Sequence, residues 1–345
     1  MKKEKIIVGM SGGVDSSVTA YLLQKEGYEV IGVYMKLHNI IENFHENNIA
    51  AGSKVAKSLN IPYHILELED KFKEEVYDYF VTEYKNGNTP NPCVRCNRTI
   101  KFGALFEFAQ SLGAKYLATG HYAKTDGEFI YEADDKTKDQ SYFLGQIKKN
   151  VLKHLIFPMS TYKKEDIIKL GSTLPAIKDI AKGKESQEIC FVENVYTDIL
   201  QEHYNIDMPG KTLDTDGNEV GHHKGYMHYT IGKRRGFYVH GAHEAHYVKE
   251  INAKDNTIVV SKKDDLSINK VKLNNLNLFI EEESFTCTIK LRYRTTKIEC
   301  TVNVQENGEA IIELEEPAYG VAVGQVAVFY HGEKVLGSGW ILETY

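Results

Sequence analysis

Met10-Ser11-Gly12-Gly13-Val14-Asp15-Ser16-Ser17 is the stretch on which the fold turns. Before it, Ile6-Ile7-Val8-Gly9 is a short apolar run, the pattern of a strand buried on both faces. After it, Val14, Val18, Tyr21 and Leu22 recur at helical spacing, and Gly27 suits the position just past a helix end. The order is strand, glycine turn, helix. Two glycines let the backbone close over an anion, and Ser11, Ser16 and Ser17 add hydroxyl donors. The free N–H groups and dipole of a helix start favour negative charge. A Walker A loop, G-x-x-x-x-G-K-S/T, is absent. Gly210-Lys211-Thr212 ends like one, but Asn205 stands where the first glycine belongs.

Working outward, strands and helices alternate through the first part, which implies a parallel sheet in an α/β fold. Val30-Ile31-Gly32-Val33-Tyr34-Met35 reads as a second strand and Ile61–Leu68 as a third. Ile49, Gly52, Ala56 and Leu59 share one helix face. Asn86–Cys93 carries two prolines and reads as a loop hostile to helix. Phe102, Leu105, Phe106, Ala109 and Leu112 mark a helix stopped by Gly113. Lys115–Thr119 is the next strand, and ligands gather at the carboxyl ends of such strands. That rule brings Met35, Gly120 and His121 toward the glycine loop. Asp126-Gly127 suits a hairpin turn, and Tyr162–Leu170 a helix ended by Gly171.

The helical pattern fades from about residue 193, and from about 270 the chain alternates. Phe285, Cys287, Ile289 and Leu291 face one way, with Lys290, Arg292 and Arg294 opposite. Five short strands there predict a small β-barrel. The expected division is 1–192, a nucleotide-binding domain, with 156–179 a candidate to pack on the next; 193–269, a small middle domain; and 270–345, the barrel.

At 345 residues the chain exceeds one ordinary core. Its 42% apolar and 26% charged residues are those of a globular protein. No apolar run reaches membrane-span length, and a strand follows Met1–Lys5, so no membrane partner and a cytoplasmic location are expected. A net charge of −6 weighs against nucleic acid, but Gly232–Gly236 and Lys290–Lys297 are locally basic.

Five cysteines are too few for a disulfide scaffold. Cys287 and Cys300 fall on apolar strand faces and read as core. Cys93 and Cys96 form a C-x-x-C with three open readings: half a zinc site, a redox pair, or two buried thiols. Cys190 lies among polar residues in Glu185–Phe191.

Ser11–Ser17 resembles the pyrophosphate loop (PP-loop) of ATP pyrophosphatases, which cleave ATP between the α- and β-phosphates. Further strings match one family pattern in order: Thr89-Pro90-Asn91-Pro92, Cys96-Asn97, Ile100-Lys101-Phe102, Ala118–Tyr122, Lys138–Leu144, Ile189–Phe191, Leu291–Arg294 and Gly324-Gln325. The whole chain resembles the tRNA-specific 2-thiouridylase (MnmA/TrmU) family.

The resemblance implies ATP-dependent 2-thiolation of the tRNA wobble uridine, a sulfurtransferase reaction. Cys190 would carry a persulfide and Cys96 would resolve it. Gly9, Met10, Ser11, Gly12, Gly13, Val14, Asp15, Ser16, Met35 and Gly120 would contact ATP, with magnesium near Asp15. Asn91, Pro92 and Cys93 would surround the base, and His121, Asp139, Gln140, Ser141, Arg292, Tyr293 and Gln325 would contact tRNA. Partners would be the lysine, glutamate and glutamine tRNAs and a cysteine desulfurase or sulfur relay.

Two features depart from the family pattern. Many relatives carry aspartate where Cys93 stands, and Lys36–Asn48 is shorter than usual and lacks an acidic stretch. Alternatives are a GMP synthetase-like amidation, or thiolation by a 4Fe-4S cluster on Cys93, Cys96 and Cys190.

Overall fold

The computed structural model describes residues 3–182 and 189–345, so Glu185–Glu188 of the Cys190 motif lie outside the described residues. Strand β1 (Lys5–Gly9) leads into helix α1 (Val14–Lys25). Strand β2 (Glu29–Lys36), helix α2 (Phe44–Leu59) and strand β3 (Tyr63–Glu67) follow. Five parallel strands form one sheet: β3, β2, β1, Tyr116–Ala118 and Leu155–Ile156. The chain winds one way from β1 through β2 to β3, then returns to the other side of β1. That reversal is the switch point where doubly wound sheets bind ligands. Ile6, Ile7 and Val8 are fully buried, as their continuous apolar run requires.

A second sheet holds five strands between Gly210 and Ser261, mostly antiparallel. The third region is a closed barrel of six antiparallel strands, sealed by the pairing of Ser267–Leu278 with Lys334–Thr344. The sequence reading gave five of these strands. The sixth, Ser267–Leu278, hides its alternation behind register shifts at Ile268/Lys270 and Asn274/Asn277. The Asp126-Gly127 hairpin forms and its strand Ile130–Glu132 pairs with Lys334 and Val335 of the barrel. One apolar core therefore runs from Ile7 and Leu117 into Val326, Tyr330 and Val335.

Several local expectations change. Pro92 does not oppose helix. It opens the short helix Pro92–Cys96 at its first turn, where a missing N–H does no harm, and Asn91 Oδ1 caps it from Val94 N at 3.3 Å. Tyr196–His203 is a helix inside the stretch where the helical pattern fades. Gly171 does not end its helix, which runs Lys164–Thr173. A Cβ at Gly171 would lie 2.8 Å from Val14 Cγ2, so the glycine lets this helix close onto α1. Arg292, Tyr293 and Arg294 sit in the turn after strand Ser284–Lys290, not on its face. Among the described residues no helix is long and apolar enough to cross a membrane.

Candidate active site

The glycine loop joins the carboxyl end of β1 to α1. Gly9 and Met10 lie buried beneath it and Ser11 is exposed. The Ser11 N–H donates to Ser16 Oγ at 3.1 Å, and Ser17 Oγ donates to the Gly13 carbonyl at 2.8 Å. No side chain caps α1, which leaves its first N–H groups to an outside acceptor. Gly120 closes the other side. A Cβ there would lie 3.0 Å from Asp15 Cβ and 3.0 Å from Ser16 N, so a side chain would crowd the loop and glycine favours this approach. Met35 is the last residue but one of β2, at the same carboxyl edge of the sheet.

Asp15 is not open. Lys164 Nζ donates to both its oxygens, at 2.8 and 2.7 Å, and the Tyr122 hydroxyl donates to Oδ1 at 2.9 Å. Lys164 is only 8% exposed. A magnesium ion on Asp15 would compete with Lys164 for the same two oxygens. The loop that lacked a lysine in sequence thus has one in space, 149 residues away. Sequence reasoning missed it. The available signal was a lysine at the first position of a helix, against the dipole.

The three candidate thiols form the second half of the site. Cys93 and Cys96 lie on the helix Pro92–Cys96, and Cys190 is exposed at the start of a turn. Burial raises Cys93 above the ordinary thiol and Cys96 to about 11; Cys190 keeps an exposed surface, yet packing around its sulfur and the neighbouring Cys96 and Cys93 raise it as well. Cys93 and Cys96 also act on Cys190 as neighbouring charges. The opposing pull comes from Lys101, which lowers each of the three. The Lys101 charge also disfavours protonation of His121, whose burial holds its ring neutral. Lys101 was quoted in the sequence motif without a role. Its place follows from the turn of helix after Cys96, Asn97–Ala104. Among the described residues no three His, Cys, Asp or Glu side chains converge as metal ligands, so these thiols are not arranged as a cluster site.

The residues expected to meet RNA divide into two groups. Asp139 and Ser141 are buried with their polar atoms in use: Asp139 accepts from Ala133 N at 2.9 Å and from Ser141 Oγ at 2.8 Å. Gln140 Oε1 accepts from Tyr122 N at 3.0 Å. His121 Nδ1 pairs with Thr119 Oγ1 at 2.7 Å. These four build the floor behind the loop. Gln325 instead reaches from the barrel to the Pro92 loop, donating to the Thr89 and Pro90 carbonyls at 2.9 and 3.0 Å. Arg292 Nη2 donates to the Ile231 carbonyl at 3.1 Å, joining barrel and middle region. Tyr293 packs on Phe143 with ring centroids 4.5 Å apart. Lys290 and Lys297 both face Glu132, at 4.0 and 2.6 Å, which offsets part of that basic patch.

A glycine loop at the switch point of a parallel sheet, with a cationic thiol site beside it, defines a protein of the PP-loop class. The family comparisons agree in three consecutive pieces. Residues 4–194 match the tRNA methyl transferase HUP domain, 197–262 the tRNA methyl transferase PRC-barrel domain, and 263–341 the aminomethyltransferase beta-barrel domain. The chain is 62% identical to tRNA-specific 2-thiouridylase MnmA 1 of Aliarcobacter butzleri over the whole of both chains. It is 54% identical to tRNA-specific 2-thiouridylase MnmA of Campylobacter jejuni, over 98% of this chain and 99% of that one. Among solved structures, the U34-tRNA thiolase NcsA of Methanococcus maripaludis aligns at 20% identity with a TM-score of 0.38, covering 59% of this chain and 66% of that one. The chain belongs to the tRNA-specific 2-thiouridylase MnmA family.

Proposed function

We propose that this chain thiolates C2 of the wobble uridine of tRNA, using ATP. One observation carries the reading: an unbroken run of contacts from the phosphate loop to the thiols. Gly120 packs against Asp15 and Ser16, His121 follows it and packs on Phe102 with ring centroids 5.7 Å apart, and Phe102 lies on the helical turn Asn97–Ala104 that continues from Cys93 and Cys96. A nucleotide on the loop and a sulfur on Cys190 therefore act on one substrate.

The chemistry runs in two stages. A urea-like C2 carbonyl is a poor electrophile. Its oxygen attacks the α-phosphorus of ATP, an O–P bond forms, and pyrophosphate leaves toward the helix start. Lys164, once released from Asp15, supplies the cation for that departing charge. Magnesium, when bound, adds further charge at the phosphates.

The terminal sulfur of a Cys190 persulfide then forms a C–S bond at C2, and AMP leaves with the old oxygen. Cys96 attacks Cys190 Sγ, the S–S bond breaks toward the base, and a Cys96–Cys190 disulfide remains for an external thiol to reduce. Alternatively Cys96 attacks the persulfide first and frees sulfide. Either route requires Cys96 to lose a proton that burial now holds, and Lys101 is the nearby charge that favours the loss.

In this reading the loop residues, Met35 and Gly120 contact ATP. Asn91, Pro92 and Cys93 surround the base, with Gln325 bracing their loop. Lysine, glutamate and glutamine tRNAs are the proposed substrates, a desulfurase or relay the sulfur source, and the cytoplasm the location. The test combines unmodified tRNA, ATP, magnesium, a cysteine desulfurase and cysteine, with nucleosides analysed by mass. Formation of 2-thiouridine with tRNA-dependent AMP release supports the reading; ATP consumption without 2-thiouridine overturns it.

A further inference from the structure

The basic turn Gly232–Gly236 is a motif that the chemistry above leaves without a role. It belongs to a longer stretch: from Gly221 to His243 the chain holds no aspartate or glutamate, although its net charge is −6. Lys224, Arg234 and Arg235 of that stretch are exposed. The acids around it are taken. Glu219 pairs with Lys211 at 2.8 Å, Glu244 with Lys262 at 2.8 Å, and Asp207 with His228 at 2.8 Å.

The fold sets aromatic rings beside these cations. Strand Phe237–Val239 is an edge of the middle sheet, and it pairs with Glu219–His223 so that Tyr238 lies opposite His222. His240 continues the ladder, donating its N–H to the Val220 carbonyl at 2.8 Å. Side chains two residues apart share a sheet face, so His240 falls on the side of Tyr238. The Tyr238 ring lies 5.2 Å from that of His222 and 5.0 Å from that of His240. Tyr238 is 51% exposed, so the three rings form one open surface. At this surface lies a cleft of about 420 Å³, lined by Pro209, His222, His223, Lys224, Phe237 and Tyr238. An exposed aromatic patch rimmed by cations marks a binding surface.

We propose that this cleft binds an unpaired nucleotide of the tRNA other than the wobble uridine. The base stacks on Tyr238 with His222 and His240, and the flanking phosphates meet Lys224, Arg234 and Arg235. This rests on tRNA being the substrate. Every unpaired base has a flat face that an aromatic ring accepts. Phosphates supply the negative charge that the acid-free stretch complements. Lys290 and Lys297 of the barrel already face Glu132, whereas Lys224, Arg234 and Arg235 form no ion pair among the described residues.

The test uses the full chain and unmodified tRNA, with affinity read by filter binding over a series of salt concentrations. Tyr238→Ala weakens binding about tenfold and leaves the salt dependence unchanged, because the lost ring carries no charge. Tyr238→Phe keeps the ring and stays within about twofold of wild type, which separates stacking from a fault in the strand. Arg235→Gln lowers the slope of log affinity against log salt by about 1. At saturating tRNA, pyrophosphate release by Tyr238→Ala stays within about twofold of wild type, since the cleft takes no part in the chemistry. Equal tRNA affinity of wild type and Tyr238→Ala overturns the proposal. So does binding of labelled uridine monophosphate that Tyr238→Ala abolishes while tRNA affinity is kept, which marks a site for a free nucleotide. Wild type that does not retain tRNA is a separate result, and it overturns the substrate reading itself.

Discussion

Replacing Lys164 by methionine removes the cation from the phosphate site and keeps the length of the stem. Two effects follow, and their sizes separate them. Lys164 is almost fully buried, but its partner Asp15 keeps 31% of its side-chain surface exposed. Breaking a fully buried pair costs about 3–5 kcal/mol, and breaking a surface pair less than about 1. This half-open pair falls between, at about 1–2 kcal/mol. Asp15 also keeps the Tyr122 hydroxyl at 2.9 Å, so it is not left bare. A domain stability of about 5–15 kcal/mol absorbs such a loss. Catalysis does not. Withdrawing one preorganised charge from a developing anion lowers turnover by about 10²–10³. The assay is tRNA-dependent pyrophosphate release at saturating ATP, with denaturant melts alongside. Turnover within about threefold of wild type, with normal ATP affinity, would refute the catalytic role and leave Lys164 a structural lock on Asp15.

Acid should destabilise the fold through its buried histidines. His38 is lowered from 6.5 to about 4, so its neutral form is fully favourable above pH 6.5. As pH falls from 6.5 toward 4 the unfolded chain binds a proton that the folded one refuses, a loss of about 3 kcal/mol. His121 adds a change of the same sign. Urea melts at pH 7 and pH 5 check it, and equal midpoints would contradict it. Cys287→Ser should cost about 1–3 kcal/mol without changing thiolation, because the hydroxyl replaces a thiol buried opposite Cys300, 3.6 Å away. Unchanged stability, or lost chemistry, would count against a core role. Gln325→Ala removes both donations to the Thr89 and Pro90 carbonyls. It should raise the KM for tRNA about tenfold with ATP affinity unchanged, and steady-state kinetics at varied tRNA decide it.

What the sequence showed directly was whatever is local. The apolar run before Ser11, the glycine turn and the helix after it are each decided by neighbours in the chain. Alternation at Phe285–Leu291 and Ile298–Val304 exposed the barrel for the same reason. What stayed hidden depends on contacts between distant residues. The Lys164–Asp15 pair joins two helices whose closeness Gly171 permits, and the one local sign of it, a lysine at a helix start, does not name its partner. The barrel's sixth strand loses its period at three register shifts in its pairings. Arg292 looked like a strand residue because a turn after Lys290 keeps the same alternation of residue types for two more positions. Asp139 and Ser141 matched an RNA-contact motif, yet their side chains fold inward onto Ala133 N and each other. The thiols were individually visible, but Lys101 as their common charge was not.

Cys190→Ser gives the sharpest test of a site in which activation and sulfur delivery are separate. Adenylation of the C2 oxygen uses the loop, Lys164 and the base, and no thiol. In the proposed function, sulfur transfer uses Cys190. The measurement is pyrophosphate and 2-thiouridine counted in the same reaction, with a persulfide donor and unmodified tRNA. Pyrophosphate release that still depends on tRNA, with no 2-thiouridine, is the predicted result. Normal 2-thiouridine from Cys190→Ser would contradict it and move the sulfur carrier elsewhere.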